Sequence, residues 1–142
     1  VTERYELHIV NISDITAPEE VKMLEFEGSI SDLQVVKNTL FLPVNGEGLF
    51  IYNVLQPDNP VFMGFFPIPE IEYLDLAGDY AFVTDTGSGI TVIDISDRSK
   101  PVVKGFRNIG EEITDIVVSG SHIFTGIDNF VNKVSMVVVK LD

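Results

Sequence analysis

A chain of 142 residues with 45% hydrophobic side chains carries enough apolar surface for a packed core and is not a disordered segment. Its formal net charge of −13 repels phosphate backbones and anionic lipid, which argues against nucleic acid and anionic membranes as partners. No cysteine is present, so disulfides and thiol chemistry are excluded; no apolar run has transmembrane length and no basic-apolar leader is visible, while a start at Val1 rather than Met fits removal of one.

The first apolar run, residues 7–12, reads Leu7-His8-Ile9-Val10-Asn11-Ile12 and is followed by Ser13-Asp14 and then Pro18. It returns over residues 49–54, followed by Pro60, and over residues 90–95, followed by Ser96-Asp97 and Pro101. The steps from Leu7 to Leu49 and from Leu49 to Ile90 are 42 and 41 residues, and the proline follows by 11 residues each time. A second marker set runs in parallel. Ile30, Leu33, Val35 and Phe41 correspond to Ile71, Leu74, Leu76 and Phe82, and these to Ile113, Ile116, Val118 and Phe124. A fixed period of this size means one small unit stacked linearly or radially.

Each unit reads as four short strands. The first full unit has them over residues 30–36, 39–44, 49–54 and 61–66, and the second over 72–77, 80–84, 90–95 and 102–107. Val, Ile, Leu, Phe and Tyr suit a pleated surface. Lys37-Asn38, Asn45-Gly46, Gly78-Asp79 and Gly120-Ser121 supply the turns between them. The third strand is apolar on both faces: Ile90 and Val92 point one way, Ile93 and Ile95 the other. Such a sheet must be covered on both sides, which face-to-face stacking achieves. The fold class expected is all-β, with four-stranded antiparallel β-propeller blades of period about 42, about three per chain. Asp14 and Asp97 are placed to bond backbone N–H groups two residues on, and Pro18, Pro60 and Pro101 to open the outer strand.

The run Ile90-Thr91-Val92-Ile93-Asp94-Ile95-Ser96-Asp97 with Pro101, together with residues 78–85 (Gly78-Asp79-Tyr80-Ala81-Phe82-Val83-Thr84-Asp85), resembles the LVIVD repeat family. The first copy departs from the pattern, with Lys37-Asn38-Thr39 where the others have Gly and a polar residue. The resemblance implies β-propellers of bacterial and archaeal cell-surface or secreted proteins, hence an extracytoplasmic location. It brings no catalytic residues.

The chain enters and leaves inside a unit. Residues 1–27 read as a partial blade, with Val1-Thr2 ending a second strand and residues 7–12 and 21–26 as third and fourth strands. Residues 28–67 and 68–108 read as full blades, and residues 109–142 as a partial blade with strands over 113–118, 122–127 and 136–141. That is too little to close a ring of 4–8 blades. The chain is expected either to be a segment of a longer propeller or to associate with copies of itself, two copies giving six blades.

Candidate chemistry is sparse. Asp85-Thr86-Gly87-Ser88 resembles an aspartic-protease loop, which would need a second copy to pair carboxylates. The repeat explains the same residues as a hairpin turn, matching residues 44–48. His8 and His122 share no ligand spacing, so a transition-metal site is not expected. Calcium takes loop oxygens, for which Asp85 and Asp128 are the candidates, supplemented by Thr86, Ser88 and Asn129. The main candidate is positional. In a propeller the loops from fourth to first strand and from second to third strand emerge on one face. The first set carries Glu27, Glu70, Glu72, Glu111 and Glu112; the second carries Asn45, Glu47, Asp85, Asp128 and Asn129. Asp32, Asp75 and Asp115, on or beside the innermost strands, are expected to be structural hydrogen-bonders. The function expected is a noncatalytic binding or scaffolding module recognising a protein or carbohydrate. A hydrolase with its site at the channel mouth and a purely structural spacer are the alternatives.

Overall fold

The computed structural model describes residues 4–86, 89–129 and 133–140, with side chains up to residue 127. Its described residues contain thirteen strands and no helix: β1 (Tyr5–Asn11), β2 (Glu19–Phe26), β3 (Gln34–Val36), β4 (Thr39–Val44), β5 (Gly48–Asn53), β6 (Val61–Pro67), β7 (Leu74–Ala77), β8 (Tyr80–Thr84), β9 (Gly89–Asp94), β10 (Val102–Asn108), β11 (Glu112–Ser119), β12 (His122–Asn129) and β13 (Lys133–Lys140). They form four antiparallel sheets in chain order. The first holds β1-β2, the second β3-β4-β5-β6, the third β7-β8-β9-β10 and the fourth β11-β12-β13. Every neighbour within a sheet is a chain neighbour, which is the up-and-down meander of propeller blades.

Alternation along the middle strands builds three cores, one at each junction between sheets. Leu40, Leu42 and Val44 of β4 pack toward the first sheet with Phe26. Phe41 of the same strand points the other way and joins Leu49, Ile51, Ile71, Leu74, Ala81, Val83, Ile93 and Ile95 between the second and third sheets. Phe82 and Ile90 then meet Ile113, Ile116 and Ile123 between the third and fourth. The two-faced apolar pattern of the third strand is therefore satisfied as expected: Ile90 and Val92 face forward, Ile93 and Ile95 backward.

Two innermost strands are shorter than the apolar pattern predicts, whereas β11 exceeds the expected 113–118 by a residue at each end. The strand expected over residues 30–36 begins only at Gln34, with Ile30 held by an isolated bridge to Val44, and that expected over 72–77 begins at Leu74. The reason lies in Asp32. Its carboxylate accepts the N–H of Leu33 (2.7 Å) and that of Leu74 in the next sheet (3.0 Å), turning the chain off the ladder. Asp75 repeats the device across the next junction, accepting from Leu76 N–H (2.8 Å) and from Val118 N–H. Ser31 and Gln34 donate to the carbonyls of Ile71 (2.9 Å) and Leu74 (2.7 Å). These side chains join successive sheets near the innermost strands, so Asp32 and Asp75 are the structural hydrogen-bonders expected.

The outer loops repeat with equal fidelity. Asn11, Asn53 and Asp94 each accept the N–H two residues on, from Ser13, Leu55 and Ser96. Asp14 and Asp97 do the same with Thr16 and Ser99, as expected. Pro18, Pro60 and Pro101 stand one residue before the outer strands, not in them. Each outer strand then carries a bulge at the same place, where Val21, Met63 and Lys104 are the extra residues. Bulges sharpen the twist and discourage edge pairing.

Two local features yield predictions. Gly64, just past its bulge, lies where a Cβ would stand 2.0 Å from the carbonyl oxygen of Arg98, because the β9–β10 loop rests on β6. Gly64→Ala is expected to cost about 1–3 kcal/mol in urea denaturation. Lys37 sits at φ 56°, where the sister turns have Gly78 and Gly120, both at 60°. A side chain there is strained, so Lys37→Gly is expected to stabilise by roughly 0.5–1 kcal/mol, read as a higher urea midpoint at unchanged slope.

Candidate functional site

In the second and third sheets the loops of the two sets lie against each other, tied by specific bonds. The Glu47 carboxylate in the β4–β5 hairpin accepts the N–H groups of Glu27 and Gly28, both at 3.0 Å. Gly46 N–H donates to the Pro69 carbonyl (2.8 Å), and Asn45 N–H to that of Ser29 (2.8 Å). Gly28 permits this contact, since a Cβ there would stand 1.8 Å from the Asn45 carbonyl oxygen. In the next unit Thr86 Oγ1 donates to Glu70 (2.5 Å), while Glu72 N–H donates to the Thr84 carbonyl (2.9 Å). The β4–β5 and β8–β9 hairpins are thus each bound, through their described residues, to a neighbouring inter-sheet loop.

These bonds sort the candidate residues. Glu47 and Asp85 are turned inward to backbone: Asp85 accepts the N–H of Gly89 at 2.9 Å and fixes its own turn. Glu47, expected on the ligand-binding face, uses Oε1 to hold the N–H groups of Glu27 and Gly28. Nothing local in the sequence signals this, because the partners lie about twenty residues away. Glu27, Glu70, Glu111 and Glu112 are exposed, and Asn45 and Glu72 half-buried. The loop expected at Asp128 and Asn129 is strand: β12 runs through Asn129 and pairs it with Lys133. The β11–β12 register sets Asp128 opposite Glu112. The side chains of Asp128 and Asn129 lie outside the described residues, as do Gly87 and Ser88 of the protease-like and calcium readings, and Val1-Thr2.

Among the described residues no three His, Asp or Glu side chains gather where a metal ion could sit. His8 lies on β1, away from the loop face, with Nδ1 2.6 Å from Glu20 and Nε2 3.1 Å from Glu6. The hydrogen bond to Glu20 raises its pKa above the ordinary 6.5, and Glu6 adds to this. A raised folded value means the contribution to stability is full below 6.5 and lost as pH rises through the folded value. Protection factors of β1 and β2 amides, taken relative to the intrinsic exchange rate at each pH, are accordingly expected to be lower at pH 8 than at pH 6, and His8→Gln to remove that difference. The opposite sign holds for Asp14, Asp94 and Asp97. Side-chain hydrogen bonds from Thr16, Ser96 and Ser99 hold these carboxyls below the ordinary 3.8. Their contribution is present above 3.8 and lost as pH falls through the lowered values, on the acid limb of the stability curve.

Comparison with known proteins supports the architecture. The computationally designed Ika4 protein superposes with a TM-score of 0.68 at 10% identity, over 87% of this chain and 74% of that one. The N-terminal domain of Nup159 superposes with a TM-score of 0.64 at 10% identity, over 95% of this chain. A chain in the S. cerevisiae structure of Dbp5 bound to Nup159, Gle1, IP6 and ADP gives 0.63 at 11% identity, over 91%. This chain spans 40% and 38% of the length of those last two. At such identities the likeness concerns fold alone. No curated protein matches the sequence. Residues 73–108, which include the whole third sheet, match the family model of the LVIVD repeat. The chain carries an LVIVD repeat, set in β-propeller blades.

Proposed function

We propose that this propeller-type repeat module is a noncatalytic binding or scaffolding unit that holds a protein or carbohydrate partner on its acidic loop face. The observation that carries the reading is the bonding of Asn45, Gly46, Glu47 and Thr86 to the inter-sheet loops, which braces a rim where the Glu27 carboxylate is exposed and Glu70 is held by Thr86; Glu111 is exposed on the next such loop. A preorganised surface loses little entropy on binding. With a net charge of −13, the rim favours a partner with basic groups, and steering toward it weakens with salt. An extracytoplasmic setting goes with this reading and rests on the likeness to the LVIVD repeat family.

Two probes test it: a ten-residue oligolysine peptide and a neutral hexasaccharide, each titrated into isotopically labelled protein and followed by amide shifts. Shifts confined to residues 27–28, 45–47, 70–72 and 111–112 are expected with at least one probe. For the peptide they should shrink several-fold at 0.5 M salt and in Glu27→Gln/Glu111→Gln. Silence toward both probes would favour the structural spacer.

A further inference from the structure

An exposed aromatic ring recurs at one register position of the outer strands, and each copy stands beside a carboxylate of the rim. Phe106 of β10 pairs with Thr91, and so faces the second sheet as Ile93 and Ile95 do. It is 61% exposed, although the sheet it faces has all four strands. Sheets set radially stand furthest apart at their outer strands, so this exposure belongs to the repeat itself. Phe65, paired with Phe50, holds the same position on β6 and is 37% exposed. Phe50 covers part of its ring, the centres 4.7 Å apart, where the third sheet has the smaller Thr91.

Glycines set both rings against the rim. A Cβ on Gly89, the first residue of β9, would stand 2.3 Å from Phe106 Cε2 and 3.1 Å from Asp85 Oδ2. Ring edge and carboxylate therefore meet over the same stretch of backbone. Asp85 uses Oδ1 to accept the Gly89 N–H, which leaves Oδ2 on the side of the ring. A Cβ on Gly48 would likewise stand 3.0 Å from Phe65 Cε2, and Glu47 precedes that glycine. The Glu47 charge is felt on the same face. Burial, and after it Glu47, raises the Tyr52 pKa, and the Tyr52 ring is stacked beside Phe50.

This chain already holds one guanidinium in such a setting. Arg98 lies over the Phe41 ring, 5.4 Å from its centre, with Nη1 4.0 Å from Asp79 Oδ1. A guanidinium is planar, stacks on a ring face and donates from its edge to a carboxylate, so ring and acid together favour it over an ammonium. A purely apolar occupant would cover the carboxylate without a partner, at a cost in desolvation. A neutral sugar would gain nothing from the net charge of −13.

We propose that Phe106 and Asp85 receive an arginine side chain of a partner protein, with Phe65 and Glu47 repeating the site one sheet back. The assignment rests on the binding function proposed for the rim and narrows its partner to a protein segment bearing arginine. The guanidinium lies on the exposed ring while its N–H groups face the carboxylate.

Ten-residue oligoarginine and oligolysine peptides, equal in charge, are titrated into the isotopically labelled full chain, with the neutral hexasaccharide as a third probe. Oligoarginine is expected to bind more tightly than oligolysine by roughly two- to five-fold for each ring engaged, with amide shifts that include Gly89 and Phe106. Phe106→Leu keeps an apolar side chain over Gly89 and removes the ring. It should weaken oligoarginine by that factor, leave oligolysine unchanged and keep the parent's amide spectrum outside β9 and β10. Phe65→Leu/Phe106→Leu should abolish the preference. Equal affinities of the two peptides for the parent, with shifts on the rim, would overturn the arginine site and leave the rim's binding function standing. A preference that survives in the double variant overturns the site in the same way. Binding of neither peptide overturns both the site and a basic partner for the rim. Shifts at Gly89 and Phe106 with the hexasaccharide alone overturn the proposal and give the rings to a carbohydrate.

Discussion

The middle strands β4, β5, β8 and β9 are apolar on both faces, and the rest of the structure follows from that constraint. Phe41 alone among β4 residues in the cores points forward, between Leu40 and Leu42, which point back, and all three are buried. An apolar side chain is worth about 1.5–3 kcal/mol when covered. A meander of four strands can cover neither of its own faces, so each sheet depends on the next. Stability in this arrangement resides in the junctions, as in other arrays whose units contact only their neighbours.

Polar side chains make the stacking specific where apolar packing alone would allow sliding. Asp32 reaches Leu74 and Asp75 reaches Val118, each a side chain of one sheet satisfying a backbone N–H of the next. A displaced sheet would leave a partly buried carboxylate and an N–H unpaired, at a cost of about 1–3 kcal/mol each. The loop face is made in the same way. Glu47 is a structural acid and Glu27 an exposed one, although the sequence presents both as acids in loops. The rim is thus partly spent on holding itself together, and its remaining carboxylates are the ones with freedom to meet a partner.

Much of this was legible in the chain. The period, the alternation in residues 90–95, and the Asx turns at Asp14 and Asp97 are local or repeating properties, set by side-chain direction and backbone chemistry within a few residues. The start of β3 was not legible, because Asp32 leaves the ladder to bond Leu74, 42 residues later. The prolines illustrate the same limit in small: the sequence places them at the outer strand, and the register shows them standing just before it.

Repetition by itself determined the four-stranded unit, the number of sheets and the two-faced alternation of residues 90–95, because a meander apolar on both faces must be covered by a neighbour on each side. Only the tertiary structure decided which acids are committed and which are exposed. That distinction depends on the backbone groups that the fold sets beside each carboxylate, and for Glu47 no pattern near it in the chain encodes them.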